Sequence, residues 1–167
     1  MVVIKSSRVQ TTHKVAVMLA KEIVAVPHAT ACVIALSGDL GSGKTTFTQG
    51  FGRALGIKQR MVSPTFVLLK RYDIVPPRTR KKQTIKNPSH PYLVHIDCYR
   101  IKKAHDLVQL GIKDILSDPA AIVLIEWAER VKKLIPNNAI AIRFKHGKII
   151  NERIIEIHHG KTVRKKQ

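Results

Sequence analysis

The chain has 167 residues, of which 44% are hydrophobic, and this length and composition suit one domain with one core. Its 30 Lys and Arg residues against 11 Asp and Glu residues give a formal net charge of +19, which attracts polyanions and fits either a plain basic surface or a nucleic-acid surface. The two cysteines lie in apolar runs, and no apolar run is long enough for a bilayer span or a secretory leader, so we predict a cytoplasmic protein without a disulfide framework or membrane segment.

The first part of the chain predicts a helix, a buried strand and a second helix. Val9–Val24 carries apolar residues at helical spacing, with threonines able to cap its start. Residues 31–38, ACVIALSG, form a continuous apolar run that ends at glycine, which is typical of a buried parallel strand. Residues 45–55 predict a helix that Gly56 ends.

Strands alternate with a broken helix in the next part of the chain. Residues 62–74 contain an extended segment after a proline turn, and residues 92–101 are strand-like. Residues 104–116 have helical character that is interrupted at Gly111. Residues 121–129, AIVLIEWAE, predict a second buried strand that ends in an acidic residue.

The C-terminal part predicts a hairpin. Residues 139–144 and 149–159 alternate apolar and polar side chains on either side of a turn at residues 146–148, HGK. Residues 75–91 are rich in proline and basic residues without apolar periodicity, so we predict a long exposed loop there. Residues 161–167 predict a frayed basic tail.

A glycine-rich segment joins the first buried strand to the second helix. Gly38, Gly43, Lys44 and Thr45 fit the pattern G-x-x-x-x-G-K-[ST]. The glycines allow successive backbone N–H groups to point at a phosphate, and the following helix adds its positive end. Lys44 can reach the β- and γ-phosphates, and the Thr45 hydroxyl can bind Mg²⁺. The segment therefore predicts a phosphate-binding loop.

Two carboxylates at strand ends are candidates for Mg²⁺ chemistry. Asp97 follows LVHI and Glu126 follows IVLI, and the carboxyl ends of parallel strands open on the same edge as a phosphate loop. The alternatives are that either acid caps a strand or pairs with a basic neighbour. Trp127 follows Glu126 directly; core packing is the default for a tryptophan, and alternation along a strand means that it need not share Glu126's surroundings.

Residues 63–65 and the histidines each have an ordinary structural interpretation beside any functional one. Residues 63–65, Ser-Pro-Thr, fit either a mobile loop whose hydroxyls sense a γ-phosphate or an ordinary turn. The eight histidines show no metal spacing, and His95, in the strand before Asp97, is expected to be packed rather than to bind a metal.

These elements predict an α/β fold: a single P-loop NTPase-like three-layer domain over residues 1–160, with a mostly parallel central sheet and antiparallel edge strands. The motifs GDLGSGKTTFTQGFGRALG, VSPTF, HIDCYRI and LIEWAER occur in that order. Together they resemble the TsaE (YjeE) family of small bacterial ATPases, which support formation of N6-threonylcarbamoyladenosine on tRNA. The resemblance runs from about residue 12 to about residue 157.

The resemblance implies a site for ATP and Mg²⁺. Lys44, Asp97 and Glu126 would be catalytic. Thr45 would be a ligand of Mg²⁺, Asp97 would hold Mg²⁺ directly or through water, and Glu126 would either bind Mg²⁺ or support the attack of water. Residues 63–65 would form a switch-like loop near the γ-phosphate. The residues implied to bind the nucleotide are Thr12, Gly38, Gly41, Ser42, Gly43, Lys44, Thr45, Thr46, Thr65, Trp127 and Arg153.

The resemblance also implies partners. The family protein works with TsaB and TsaD, which together with TsaC make the modification, and its ATP hydrolysis is thought to reset the TsaB–TsaD complex between turnovers. Residues 75–91 are longer and more basic than is typical of the family, and the RTRKK run within them motivates a contact with partner-bound tRNA. Residues 106–111, DLVQLG, replace a more acidic family stretch, which leaves partner contacts there open.

Other functions compete with this interpretation. A small-molecule or nucleotide kinase shares the size and the phosphate loop, although Asp97-Cys98-Tyr99-Arg100 lacks the D-R-Y order expected of one. A nucleotide-dependent nucleic-acid-binding module fits the charge, although the two strand-end acids favour Mg²⁺ chemistry. A GTPase is the weakest alternative because no N-K-x-D sequence occurs.

Overall fold

The computed structural model describes residues 1–63, 68–75, 89–101 and 103–160. A 3₁₀ segment, Ala128–Leu134, follows the fifth strand. The helices and strands, in chain order, are β1 (Val2–Ser6), α1 (Val9–Val24), β2 (Cys32–Gly38), α2 (Lys44–Ala54), β3 (Leu69–Asp73), β4 (Tyr92–Asp97), α3 (His105–Gln109), α4 (Ile112–Ser117), β5 (Ala121–Glu126), β6 (Ile140–His146) and β7 (Arg153–His158).

Within the described residues, all seven strands form one sheet in the order β1–β7–β6–β2–β5–β4–β3. The pairings of β6 with β2, β2 with β5, and β5 with β4 are parallel. The outer strands β1, β7 and β3 pair antiparallel with their neighbours. The fold class predicted from the sequence, an α/β sheet with a parallel centre and antiparallel edges, is confirmed.

The core has two parts, one on each face of the sheet. Alternate residues of β2 and β5 point to opposite faces, as the period of a strand requires. Ile34 and Leu124 pack with α1 and α2 on one face, whereas Val33 and Val123 pack with α3, α4 and the 3₁₀ segment on the other. The central strands are buried on both faces, which explains their continuous apolar sequences.

The fold brings three chain segments to one edge of the sheet. The parallel strands β2, β5 and β4 end at Gly38, Glu126 and Asp97 respectively. Asp97 stands directly opposite Glu126 in the register of β4 and β5. The glycine-rich segment leaves β2 at the same edge, so the predicted phosphate-binding residues and the two acids are neighbours.

Several local predictions need correction. The predicted threonine cap of α1 is wrong: Arg8 is the N-cap residue and makes no capping bond, while Thr12 lies buried inside the helix. The strand predicted over residues 92–101 ends at Asp97, because Asp97 Oδ1 accepts a hydrogen bond from the Tyr99 N–H and turns the chain. The helical break at Gly111 is confirmed, with φ at 76° between α3 and α4.

The two edges of the sheet also differ from the prediction. The sequence analysis missed β1, whose valines are half exposed and which pairs with β7 through Ile4 and Ile155. The terminal hairpin is confirmed, but β7 begins only at Arg153. The connection is longer than the predicted turn because the Glu152 carbonyl accepts the Gly147 N–H, and the Glu152 side chain accepts the Lys148 N–H.

Some predictions fall on residues outside the described part of the chain. These are Thr65, most of the predicted basic loop at residues 75–91, and the tail at residues 161–167. Among the described residues, no helix combines the length and the apolar character that a bilayer span requires.

Candidate functional site

The glycine loop, defined here as residues 38–45, depends on three glycines with positive φ. Gly38, Gly41 and Gly43 have φ values of 130°, 70° and 108°, which side chains rarely tolerate. α2 starts at Lys44 immediately after the loop, and the first N–H groups of a helix lack carbonyl partners within it. Ser42 Oγ is buried and has no hydrogen-bond partner among the described residues. The loop therefore presents polar groups suited to an anion.

Lys44 is held inside this arrangement and is only 4% exposed. Its Nζ donates to the carbonyl oxygens of Gly38 at 2.6 Å and Asp39 at 2.8 Å. The same nitrogen lies 3.7 Å from the centre of the Trp127 ring, which is a cation–π contact. Burial lowers the pKa of Lys44, and the nearby carboxylates, Glu126 foremost, oppose that shift. A partly desolvated ammonium of this kind attracts an anion more strongly than one in water.

Glu126 is 1% exposed and accepts three side-chain hydrogen bonds. Thr45 Oγ1 donates to Oε2 at 2.8 Å, and Thr48 Oγ1 donates to Oε1 at 2.9 Å. His95 Nε2 lies 3.0 Å from Oε1. Burial by itself would raise the pKa of Glu126, but the hydrogen bonds from His95 and the threonines, together with the charge of His95, lower it on balance. The side chain is therefore a carboxylate fixed in one orientation.

Asp97 is the second acid of the site and is 5% exposed. Its Oδ1 accepts the Tyr99 backbone N–H at 2.8 Å. Its Oδ2 accepts a hydrogen bond from the Ser63 hydroxyl. This contact brings residue 63, the first of the predicted switch-like segment, to the acid at the end of β4.

Trp127 leaves the strand in a left-handed conformation, with φ of 58°. This conformation is uncommon for a large side chain and marks a sharp turn directly after Glu126. The Trp127 ring packs against Tyr99, with ring centres 5.1 Å apart, and the Arg130 guanidinium lies 5.7 Å from the Trp127 ring centre. Because the turn breaks strand alternation, Trp127 shares Glu126's surroundings, a position that the alternation rule alone did not require.

These groups surround one cavity of about 370 Å³. It combines a glycine-rich backbone, one ammonium, two carboxylates and two aromatic rings. Its lining residues are Leu40, Gly41, Gly43, Lys44, Thr45, Thr46, Ser63, Asp97, Tyr99, Glu126 and Trp127. The structure thus brings together most of the residues that the sequence analysis assigned to the site.

A second cavity of about 220 Å³ adjoins the glycine loop. Thr12 and Arg153, the two residues assigned with least sequence support, both line it, together with Gly41, Gly43 and Thr46. Thr12 Oγ1 is 3.0 Å from Ser6 Oγ. Arg153 Nε donates to the Gly41 carbonyl oxygen at 3.1 Å. The two cavities share Gly41, Gly43 and Thr46 as lining residues and therefore adjoin each other at the glycine loop.

The sequence analysis missed two residues of the site, Thr48 and His95. Thr48 lies one helical turn after Lys44 on α2, and His95 lies two residues before Asp97 on β4, so each shares a face with an assigned residue. That spacing was the available signal. His95 was expected to be packed, and it is fully buried, but its ring also contacts the Glu126 carboxylate.

The fold and the site define a single-domain α/β protein of the P-loop type. A solved structure of YdiB from Bacillus subtilis shares this fold, with a TM-score of 0.69 and 26% identity over 95% of this chain and 85% of that one. The family model for threonylcarbamoyl adenosine biosynthesis protein TsaE matches residues 6–155. The chain belongs to the TsaE family.

Relatives named tRNA threonylcarbamoyladenosine biosynthesis protein TsaE occur in several bacteria. The Bacillus subtilis protein is 35% identical over 68% of this chain and 61% of its own length. The Haemophilus influenzae protein is 30% identical over 70% of this chain and 64% of its own length. The Rickettsia bellii protein is 35% identical over 68% of both chains. The matched region therefore spans less than two thirds of the first two relatives.

Proposed function

We propose that this chain is a Mg²⁺-dependent ATPase that supports N6-threonylcarbamoyladenosine formation on tRNA by cycling the TsaB–TsaD complex. One observation carries the proposal: the cavity of about 370 Å³ joins the glycine loop, Lys44 and both strand-end acids. Membership of the TsaE family and the names of the relatives connect that chemistry to tRNA modification.

The glycine loop and Lys44 are proposed to bind the ATP phosphates. The N–H groups at the start of α2 and the Lys44 ammonium supply donors and positive charge at the same place. Lys44 Nζ already contacts two loop carbonyls and the Trp127 ring, so little side-chain freedom remains to be lost on binding. Trp127 thereby contributes by restraining the lysine.

The donor set fits Mg²⁺. Among the described residues, no cluster of three or more His, Cys, Asp and Glu side chains could hold an ion unaided. Mg²⁺ in nucleotide sites does not need one, because it keeps several waters and takes one or two protein oxygens together with phosphate oxygens. Thr45, Asp97 and Glu126 line the cavity and supply such oxygens, and the ion would neutralise charge on the phosphates.

Asp97 and Glu126 are proposed to serve Mg²⁺ binding and the orientation of the attacking water. Asp97 is fixed by the Tyr99 N–H and the Ser63 hydroxyl, which orient its carboxylate at the cavity. Glu126 Oε2 accepts a hydrogen bond from Thr45, and this oxygen is proposed to hold the metal or to orient the attacking water.

The cavity of about 220 Å³ is proposed to receive the nucleoside part of ATP. It shares Gly41, Gly43 and Thr46 with the phosphate cavity, so a nucleotide can extend from one to the other. Thr12 supplies a hydroxyl and Arg153 a planar guanidinium at its wall. Arg153 is also bonded to the Gly41 carbonyl, which links the nucleoside cavity to the phosphate loop.

The proposed role of hydrolysis is to change affinity for a partner. An equilibrium of the TsaB–TsaD complex shifts only if the ATP and ADP forms of this chain bind it differently. Turnover would then release the complex for another round of modification, and this chain would not itself transfer the threonylcarbamoyl group.

The test is multiple-turnover modification of tRNA. The reaction holds TsaB, TsaC, TsaD, tRNA, threonine, bicarbonate, ATP and Mg²⁺, with this chain added, omitted, or carrying Glu126→Ala. The matched control is Glu22→Ala, because Glu22 is an exposed carboxylate on α1. We expect modification beyond one equivalent of TsaD only with the wild-type chain and the Glu22→Ala variant.

Two outcomes would contradict the proposed function. If adding this chain does not change tRNA modification, although the same partners modify tRNA over many turnovers with a cognate TsaE, the proposed role in modification is wrong. A parallel reaction contains ATP, the chain and each nucleoside monophosphate, and phosphate transfer to the monophosphate would favour the kinase alternative over hydrolysis.

Contact with partner-bound tRNA is proposed for the basic residues within 75–91 and rests on their sequence. Deleting residues 77–87 should reduce the salt dependence of tRNA binding to the assembled complex, because fewer phosphate charges are neutralised. An unchanged slope of affinity against salt concentration would contradict this contact.

A further inference from the structure

The Glu126 carboxylate divides its two oxygens between the core and the site. Oε1 contacts Thr48 and His95, which are both fully buried. Oε2 contacts Thr45, which lines the phosphate cavity. Two partners on one oxygen and one on the other fix the plane of the carboxylate as well as its position.

Among the described residues, Glu126 is the only hydrogen-bond partner of the His95 ring. It is 0% exposed and lies on β4 two residues before Asp97, on the same face of the strand. A carboxylate only accepts hydrogen bonds, so His95 Nε2 carries the proton and donates it to Oε1. Nδ1 is buried and has no hydrogen-bond partner among the described residues.

Packing alone does not account for an imidazole here. A buried ring nitrogen without a partner carries a desolvation cost, which an apolar side chain of similar size would avoid. The compensating contact is the one to Glu126. The hydrogen bond to Glu126 is therefore the interaction that favours an imidazole at this position.

We infer that His95 is a positioning residue which, together with Thr48, holds Glu126 Oε1 so that Oε2 faces Thr45 and the proposed Mg²⁺ position. The inference rests on the proposed function. Without the His95 contact, the carboxylate loses one of its two anchors in the core and rotates more freely. The expected consequence is weaker coupling between Mg²⁺ and nucleotide, while binding of metal-free nucleotide is retained.

Two substitutions separate the hydrogen bond from the volume of the ring. His95→Leu removes the donor and keeps an apolar side chain, whereas His95→Gln keeps an N–H donor on a chain of similar reach. Thr48→Val removes the other donor to the same oxygen and is the matched comparison. Each full-length variant is measured by calorimetry with a non-hydrolysable ATP analogue, in Mg²⁺ and in EDTA, and by thermal unfolding.

For His95→Leu we expect a loss of roughly 10- to 100-fold in the affinity gained from Mg²⁺, the range typical of lost outer-shell contacts. Affinity in EDTA should stay near the wild-type value, and His95→Gln should recover most of the loss. In a Glu126→Gln background, His95→Leu should have little further effect, because it acts through that carboxylate.

The outcomes distinguish failure of the proposed function from failure of the positioning role of His95. If wild-type affinity does not depend on Mg²⁺, the proposed function fails. If wild-type affinity depends on Mg²⁺ but His95→Leu changes nothing, or lowers affinity equally in Mg²⁺ and EDTA, the positioning role is overturned. A loss that persists in the Glu126→Gln background overturns it as well.

A measurement on the wild-type protein applies even if His95→Leu fails to fold. Imidazole ¹⁵N NMR should show the His95 proton on Nε2, and this signal should move when Mg²⁺ is added to the nucleotide-bound protein. An Nε2 without a proton, or a signal that does not change when Mg²⁺ is added, would overturn the inference.

Discussion

Two glycines of the same loop are expected to respond very differently to one added methyl group. Gly38 pairs with Phe144 across β2 and β6, and a Cβ at Gly38 would stand 2.1 Å from the Phe144 carbonyl oxygen. That oxygen belongs to backbone inside the sheet and cannot move aside cheaply. At Gly41, an added Cβ would meet no heavy atom within 4 Å. Gly38→Ala should therefore be the more destabilising substitution.

The magnitudes follow from two separate costs. Gly41, with φ of 70°, lies near the left-handed α region, where an alanine costs roughly 1–2 kcal/mol; Gly38, with φ of 130°, lies outside every region that alanine normally occupies, so its alanine costs at least as much. Gly38→Ala adds a steric cost of roughly 1–3 kcal/mol, the usual range for overpacking. The restriction of the unfolded chain by alanine stabilises both variants equally and cancels in the comparison. The loss of unfolding free energy in Gly38→Ala should thus exceed that in Gly41→Ala by at least about 1–3 kcal/mol.

The assay is urea unfolding of both variants without nucleotide, followed by circular dichroism. For a domain of this size, 1 kcal/mol corresponds to about 2–4 °C in Tm, so thermal unfolding gives an independent check. Equal destabilisation of the two variants, or a larger loss for Gly41→Ala, would refute the close approach of Gly38 to Phe144 as the cause.

Lys44→Ala should abolish measurable ATP binding in calorimetry because it removes the buried ammonium, whereas exposed Lys14→Ala should not; retained affinity in Lys44→Ala would contradict the loop assignment. Glu126→Ala should still bind nucleotide but show little ATP turnover with partners present, and turnover at the normal rate would remove Glu126 from the mechanism. Burial and the neighbouring His90 lower the pKa of His28 in the folded protein. As pH falls, His28 is therefore protonated at a higher pH in the unfolded chain than in the folded one. The free energy of unfolding should consequently fall as pH drops below the ordinary His pKa of 6.5. His28→Asn should make that fall shallower in urea unfolding between about pH 7 and 5, and an equal fall would exclude His28 as its source.

The centre of the fold was predictable because its signals are local. β2 and β5 are buried on both faces and therefore appear as unbroken apolar runs. The glycine loop follows β2 with a fixed pattern, and its glycines are needed for their positive φ values. The strand-end positions of Asp97 and Glu126 then followed from the rule that parallel strands end at one edge.

The edges of the sheet were harder to predict because tertiary contacts decide them. β1 is short and half exposed, and its pairing with β7 joins opposite ends of the chain. The connection before β7 is lengthened by bonds from Gly147 and Lys148 to Glu152, which no turn signature reveals.

The contacts of the site posed the same difficulty. His95 looked like an ordinary buried residue when the strand was considered alone. Its polar contact is with a carboxylate 31 positions away on the neighbouring strand. Thr48 likewise resembles any polar residue of a helix until α2 is packed on the sheet.

Glu126 joins three elements through one side chain: β5, which carries it, α2 through two threonines, and β4 through His95. The group proposed to serve the chemistry is therefore also part of the framework that keeps the helix aligned with the sheet. A substitution at Glu126, Thr45, Thr48 or His95 is therefore expected to disturb the packing of α2 on the sheet and the orientation of the carboxylate at the same time.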